Sequence, residues 1–471
     1  MVGYVTIDDR PAAGKEGFVV LMNKRAFLKL SSAWLATPVL SGLGGRAQRE
    51  ALRNWAGNLT YSTGEIHTPG SVEEIQQLVR KHRRLKVLGT RHCFNTIADS
   101  RDAFVSLARL NSLVRLDPTA SEVTIEAGMS YGQLCPLIDA RGFALHNLAS
   151  LPHISVAGAC ATATHGSGIK NGNLATAVTA IEMVTADGEV ATLTRSNDGE
   201  RFQAAVVGLG ALGVVTRLTL RVQPRYQMRQ YVYEQLPLAE VQEHFEPIFS
   251  AGYSVSLFTD WQSDRVNSVW IKSREGSGAE RSPTEPFFGA RPATRHLHPI
   301  VELSAENCTE QMGVPGPWYE RLPHFRMGFT PSSGKELQAE YFVPRRHAVD
   351  AFLAVSRIGR RFSREILISE IRAIDADDLW MSPCYKEPCV AIHFTWKQDW
   401  PAVAARMQVI EQELAPFQAR PHWGKLFTIS PALLRSRYEK LADFRKQIAI
   451  YDPQGKFRNE FLQKHLYDPD A

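Results

Sequence analysis

Two stretches of this 471-residue chain combine small side chains, hydroxyls and a histidine at a density that suits close contact with a phosphate-bearing cofactor. The first, Val87-Leu88-Gly89-Thr90-Arg91-His92-Cys93, reads as a strand running into a loop. The second runs from Ser150 to Gly168 and holds Ser155, Gly158, Ala159, Cys160, Ala161 and His165. Small side chains let backbone N–H groups approach a pyrophosphate, and hydroxyls add directional hydrogen bonds. Either stretch alone also fits a tightly packed turn without a ligand. Their pairing favours a cofactor, whose identity the spacing does not give.

A second polar constellation lies in the C-terminal half. Side chains alternate along a strand, so Glu370 and Arg372 share one face of theirs, and His393 and Thr395 share one face of another. Each pair is placed to project into a cavity, and Lys425 adds a cation beside His422 and Trp423. Glu370 and Arg372 read equally as a structural ion pair on an exposed sheet face.

The elements that must position these groups are legible in outline. Ser71 to Lys81 has a Ser cap, Glu three positions on and apolar residues at helical spacing, which predicts a helix followed by a strand at Lys86-Val87-Leu88. Further strands are expected at Phe104 to Leu107, Glu122 to Gly128 and Ala177 to Thr185, and a helix at Tyr131 to Ala140 despite Pro136. Gly208-Leu-Gly210-Ala-Leu-Gly213 is a literal G-x-G-x-x-G, yet a helical run precedes it and an alternating strand from Val214 follows. That context is the reverse of a dinucleotide-binding unit and indicates a helix-to-strand turn. After Pro224 long alternating strands dominate, at Tyr253 to Trp261, Ser268 to Lys272, Leu337 to Val343, Leu367 to Ile374 and Cys389 to Lys397, with a Gly/Ser/Pro-rich loop at Glu275 to Glu285. They predict a mixed α+β domain with a large antiparallel sheet. A helical segment around Leu433 to Ile448 looks like a return to the first domain.

Composition narrows the class. The length allows two or three domains, and 44% hydrophobic with 22% charged residues is ordinary for a globular protein. A net charge of +5 without long basic runs argues against nucleic acid as a partner. Six scattered cysteines form no CxxC pair, and His and Cys do not recur at structural-zinc spacing, so neither a disulfide framework nor a metal centre is expected. From Asn23, Lys24-Arg25-Ala-Phe-Leu-Lys29 precedes a short apolar stretch, the layout of an export signal with a twin-arginine-like motif. The stretch is too short and broken for a membrane span. The alternative readings are an upstream start codon placed too early or a frayed amphipathic terminus, in a cytoplasmic protein.

The two small-residue stretches, with Asn54-Trp-Ala-Gly-Asn58 before them and Asp452-Pro-x-Gly-x-Phe457-x-Asn459-x-Phe461 at the end, resemble the vanillyl-alcohol-oxidase-type flavoproteins. Within these the chain is most similar to the alditol oxidases, almost continuously from Asn54 to Leu466. Uncommon strings carry the similarity: Leu148-Ala-Ser-Leu-Pro-His-Ile-Ser155, Tyr253-Ser-Val-Ser-Leu-Phe-Thr-Asp-Trp261, Gly313-Val-Pro-Gly-Pro-Trp318 and Arg420-Pro-His-Trp-Gly-Lys425. The resemblance implies a two-domain α+β flavoprotein: an N-terminal extension (1–49), an FAD-binding domain (50–224), a substrate-binding cap domain (225–418) and a C-terminal return (419–471). It implies FAD tethered to His92 and contacted by Val87 to Cys93, Ser150, Ser155, Gly158 to Ala161, His165, Val215 and His422. It implies a polyol pocket of Ser150, Glu370, Arg372, Thr395 and Lys425, with Arg372, Lys425 and His393 as the catalytic groups, in a monomeric oxidase that turns alditols such as xylitol and sorbitol into aldoses with O2 as acceptor. An aldonolactone oxidase is the alternative within the same superfamily. Relatives typically have Gly-Ser-Gly-His-Ser where this chain has Gly89-Thr90-Arg91-His92-Cys93. Arg91 there implies a different loop path, an outward side chain or a guanidinium paired with a phosphate.

Overall fold

A helix-and-strand segment comes first in the computed structural model, which describes residues 51–278, 284–327 and 335–467. The expected signal segment lies outside the described residues, as do positions 279–283 of the Gly/Ser/Pro-rich loop. Helix α1 (Val72–Lys81) starts where Ser71 accepts the Glu74 N–H, carries Glu73 and Glu74 in its first turn and Arg80 and Lys81 in its last, and buries Ile75 and Val79. Acids at the start and bases at the end both favour the helix dipole. Next to it, Ile66–His67, Phe104–Val105 and Lys86–Val87 pair in parallel, with Phe104–Val105 in the middle.

Five strands form the second sheet: β1 (Leu113–Asp117), β2 (Glu122–Glu126), β3 (Val178–Val184), β4 (Val190–Thr194) and β5 (Val214–Arg221), in the order β1-β2-β5-β3-β4. Helix α2 (Tyr131–Asp139) has a reciprocal Ser130/Gln133 capping box and runs on past Pro136. Helix α3 (Val156–Ala161) carries the second small-residue stretch, and α4 (Arg195–Val206) precedes the glycine turn. That turn leads into β5 with Leu209 and Gly210 at positive φ, as its context indicated.

The large sheet has nine strands, all among the described residues. Its six long members are β6 (Gln227–Pro237), β7 (Ser254–Thr259), β8 (Arg265–Arg274), β9 (Glu336–Pro344), β10 (Ile366–Ile374) and β11 (Cys389–Lys397). Their order is β6-β8-β7-β10-β11-β9, and Arg420–Pro421 extends it beyond β9. Every neighbouring pair is antiparallel. Alternation then separates the faces. Tyr341, Val343, Ile371, Ala373, Ile392, Phe394 and Trp396 pack in one cluster with Phe352 and Val355 of α5 (Ala348–Ile358) and Met407 and Ile410 of α6 (Trp400–Leu414). The intervening residues, Glu340, Glu370, Arg372, His393 and Thr395, are left on the opposite face.

The segment after β11 differs from the expected single helix. Helices Pro431–Ser436 and Leu441–Tyr451 are separated around Tyr438, whose buried ring lies 5.0 Å from Trp423. Residues beyond them reach back to the first parallel sheet: Leu85 donates its N–H to Lys456 O, and the buried Lys86 ammonium donates to Phe457 O (3.2 Å) and Gly210 O (2.9 Å). No helix among the described residues is long and apolar enough to cross a membrane.

Candidate active site

One cavity of about 700 Å³ runs from the parallel sheet to the polar face of β9, β10 and β11. Every residue expected at the site lines it: Val87 to Cys93, Ser150, Ser155, Gly158 to Ala161, His165, Val215, Glu370, Arg372, His393, Thr395, His422 and Lys425. The turn residues Gly208, Leu209, Gly210 and Gly213 line it as well, although their context indicated only a structural turn.

At the first end, crowding shows why small residues stand where they do. A Cβ on Gly89 would come within 2.9 Å of Ser155 Oγ, and one on Gly158 within 2.7 Å of it. The two loops are linked by Ser155 N–H donating to Thr90 Oγ1 at 3.3 Å. His92 stacks on Trp55 with ring centroids 5.2 Å apart and an interplanar angle of 19°. Both of its ring nitrogens are buried, and neither has a hydrogen-bond partner. Burial, and then His153, pushes the imidazole down to about 4, so it is neutral at working pH. An unprotonated, unbonded imidazole at the cavity wall is the nucleophile that a covalent bond to a flavin requires, and the glycine cradle leaves room for backbone N–H groups to meet a pyrophosphate. The residues therefore fit FAD.

Arg91 sits at φ 63, a region glycine adopts without strain. Its guanidinium donates to Arg53 O at 3.2 Å and its own carbonyl accepts the Trp55 N–H at 2.8 Å. The side chain is thus spent on the segment before the loop, the second of the three expected arrangements. Asn54 donates to Cys93 O (3.0 Å) and Asn58 to Phe94 O (2.9 Å), fixing the same loop from outside. On its other side, Asn95 Nδ2 donates to Trp423 O (2.8 Å) and Lys425 O (2.6 Å), and Phe94 N–H to Gly424 O. The loop carrying His92 and the segment carrying His422 and Lys425 are therefore one rigid unit.

At the other end the register places Glu370, His393 and Glu340 on a single rung across β10, β11 and β9. Glu340 is its centre: Arg372 Nη2 donates to one carboxylate oxygen and Lys425 Nζ to the other, each at 2.7 Å. His165 Nε2 lies 3.2 Å from the same carboxylate, which puts this residue at the junction of the two halves rather than wholly among the expected cofactor contacts. Lys425 Nζ is 3.3 Å from His393 Nδ1, and Thr395 Oγ1 is 3.3 Å from His393 Nε2. Glu370 is held by His324 Nε2 at 2.8 Å and by Arg372 Nε at 3.5 Å. Behind His324, the buried Lys272 Nζ of β8 approaches Nδ1 at 3.2 Å. His422 accepts the Gly424 N–H on Nδ1 at 3.0 Å.

Electrostatics follow from this packing. Burial alone would raise both carboxyls, but Lys425, His165 and Arg372 hold Glu340 well below the ordinary range, and Arg372 and His324 do so for Glu370. Burial lowers Lys425 against the pull of Glu340. Burial and then Lys425 push His393 down to about 3. The cluster thus sets two carboxylates against Arg372 and Lys425 with neutral imidazoles beside them, and offers many directed donors and acceptors.

Sequence reasoning missed Glu340, His324 and Gln338, which also lines the cavity. Glu340 and Gln338 alternate with Ala339 and Tyr341 on an expected strand, so the period-2 reading applied to Glu370 and Arg372 would have found them. His324 lies in a loop after Pro323, where no pattern marks a side chain. Trp55, under His92, appeared only inside a family string.

Comparison with known proteins places these features. A family model described as an FAD binding domain matches residues 65–194, and one described as D-arabinono-1,4-lactone oxidase matches 331–465. The chain is 48% identical over 421 residues to an alditol oxidase of Streptomyces sp. (strain IKD472 / FERM P-14339), covering 88% of this chain and 99% of that one. Identity to the L-gulonolactone oxidase of Mus musculus is 24%, over 88% and 98% of the two chains. The crystal structure of cholesterol oxidase from B. sterolicum superposes with a TM-score of 0.72 at 14% identity, covering 91% of this chain and all of that one, so the two share a fold.

Proposed function

The chain belongs to the family of FAD-dependent alditol oxidases, and on that premise we propose that the Glu340 rung binds the terminal CH–OH group of an acyclic polyol and prepares it for oxidation. FAD, when bound, supplies the two-electron acceptor for the carbinol and returns the electrons to O2, so the products are an aldose and hydrogen peroxide. His92 would hold that cofactor covalently, and the backbone around Gly89 and Ser155 to Ala161 would cradle its phosphates.

The observation that carries this reading is the shared carboxylate of Glu340, which fixes Arg372 and Lys425 at 2.7 Å each beside a neutral His393. Two cations held on either side of Glu340 at the cavity wall can lower the energy of a developing alkoxide placed between them. The Lys425 ammonium faces Nδ1 of His393, so that nitrogen carries the lone pair. A substrate hydroxyl that displaces Lys425 from Nδ1 gives its proton to His393 while its oxygen takes the hydrogen bonds of Arg372 and Lys425. Glu370, Thr395 and Ser150 pair the remaining hydroxyls. An analogue lacking one would leave a buried polar group unpaired and be rejected.

A monomeric enzyme is part of the same proposal, checked by sedimentation, and the basic then apolar run from Asn23 supports twin-arginine-type export, checked by cell fractionation. The site assignment is tested by anaerobic flavin reduction in variants that keep the flavin spectrum. Lys425→Met is expected to slow reduction by polyol by about 100- to 1000-fold, the loss typical of one oxyanion donor. His393→Asn is expected to slow it by about 100- to 10,000-fold. Reduction rates within a few-fold of the parent in both variants would overturn the assignment.

A further inference from the structure

We propose that Glu65, His67 and His82 form a binding site for a divalent transition-metal ion, outside the flavin cavity. Glu65 and His67 lie two positions apart at the first strand of the parallel sheet and so share a face, while His82 caps the C-terminal end of α1. One donor atom from each residue lies within 4.8 Å of the others. His67 Nε2 is 3.0 Å from Glu65 Oε1, and the two imidazole centroids are 4.8 Å apart at an interplanar angle of 54°. Ligands of a tetrahedral ion bound at about 2.1 Å stand about 3.4 Å apart, a distance that small side-chain rotations at a half-exposed surface supply.

A second feature of the cluster points to a ligand. His82 Nε2 is buried and has no hydrogen-bond partner. Its backbone is anchored, because His82 O accepts a hydrogen bond from Lys456 Nζ at 2.9 Å. Two imidazoles with one carboxylate select Zn2+ and its neighbours over Mg2+ or Ca2+, with water completing the shell. None of the three residues lines the flavin cavity, so the ion would clip the parallel sheet to the end of α1 and take no part in turnover.

The test uses untagged holoenzyme, freed of metal with a chelator and titrated with Zn2+ against a chromophoric indicator, with Mg2+ as control. One equivalent of Zn2+ is expected to bind and to raise the melting temperature, while Mg2+ does neither. Glu65→Gln should weaken binding by about tenfold or more, and the His67→Ala/His82→Ala pair should abolish it with the flavin spectrum and polyol turnover unchanged. His82→Gln replaces the pair if the double variant loses its flavin. Failure of the holoenzyme to take up Zn2+ at micromolar concentration, or equal uptake by the histidine variants, would overturn the proposal.

Discussion

Each reactive side chain of the cavity owes its state to one or two neighbours. His92 is neutral through burial and stacks on Trp55 with both nitrogens unbonded, so His92→Ala is expected to leave FAD bound but releasable: denatured, precipitated variant should yield yellow supernatant where the parent keeps its colour. Glu340 supports the charge of Lys425 against burial. Glu340→Gln removes that support, lowers the lysine further, and should move the alkaline limb of polyol-driven flavin reduction to lower pH while slowing reduction by about 100-fold. His393, pushed down to about 3, stays unprotonated across the acid range, so the same rate should show no titration near 6.5; an acid limb there would contradict its environment. Much of this scale was legible. Alternation put Glu370, Arg372, His393 and Thr395 on strand faces, and Lys425 stood in a distinctive string. The register that sets Glu370 opposite His393 and Glu340 is a long-range pairing, which no local pattern encodes.

Among the elements, the strands of the large sheet were readable because their two faces differ: aromatic and branched residues toward α5 and α6, polar ones toward the cavity. Helices α5 and α6 themselves went unnoticed among the strands. The break at Tyr438 was hidden too, since its cause is a tertiary contact with Trp423. Glycines test the close approaches. A Cβ on Gly128 would overlap Leu107 O and come within 2.7 Å of Leu110 O, both backbone atoms with little freedom to move. Gly128→Ala is therefore expected to destabilise by about 3 kcal/mol, at the upper end for overpacking, read as a lower melting temperature. Unchanged thermal stability would show that the loop after β2 can shift.

For the whole molecule, the early segment around Lys86 meets the late turn from Asp452 to Phe457 beside the cofactor half of the cavity. The buried Asp452 carboxylate accepts the N–H groups of Lys456 (2.7 Å) and Phe457 (2.8 Å), and so shapes the turn that receives Lys86. Asp452→Ala would leave two buried donors unpaired, a loss of about 2–4 kcal/mol, and should lower both melting temperature and flavin content. The D-P-x-G-x-F pattern marked this turn only through family likeness, because its partners are hundreds of positions away. The mild positive charge does not reside in this cluster: Arg372 and Lys425 face the buried Glu340 carboxylate and Lys86 donates to backbone carbonyls, so none of the three offers a surface for nucleic acid. Whether this cavity oxidises open-chain polyols with FAD is decided by anaerobic mixing of the flavin-loaded protein with xylitol, sorbitol or an aldonolactone. Rapid bleaching of the flavin by the alditols, with the lactone far slower, is the expected result; a flavin left oxidised by both alditols, or bleached by the lactone alone, would contradict it.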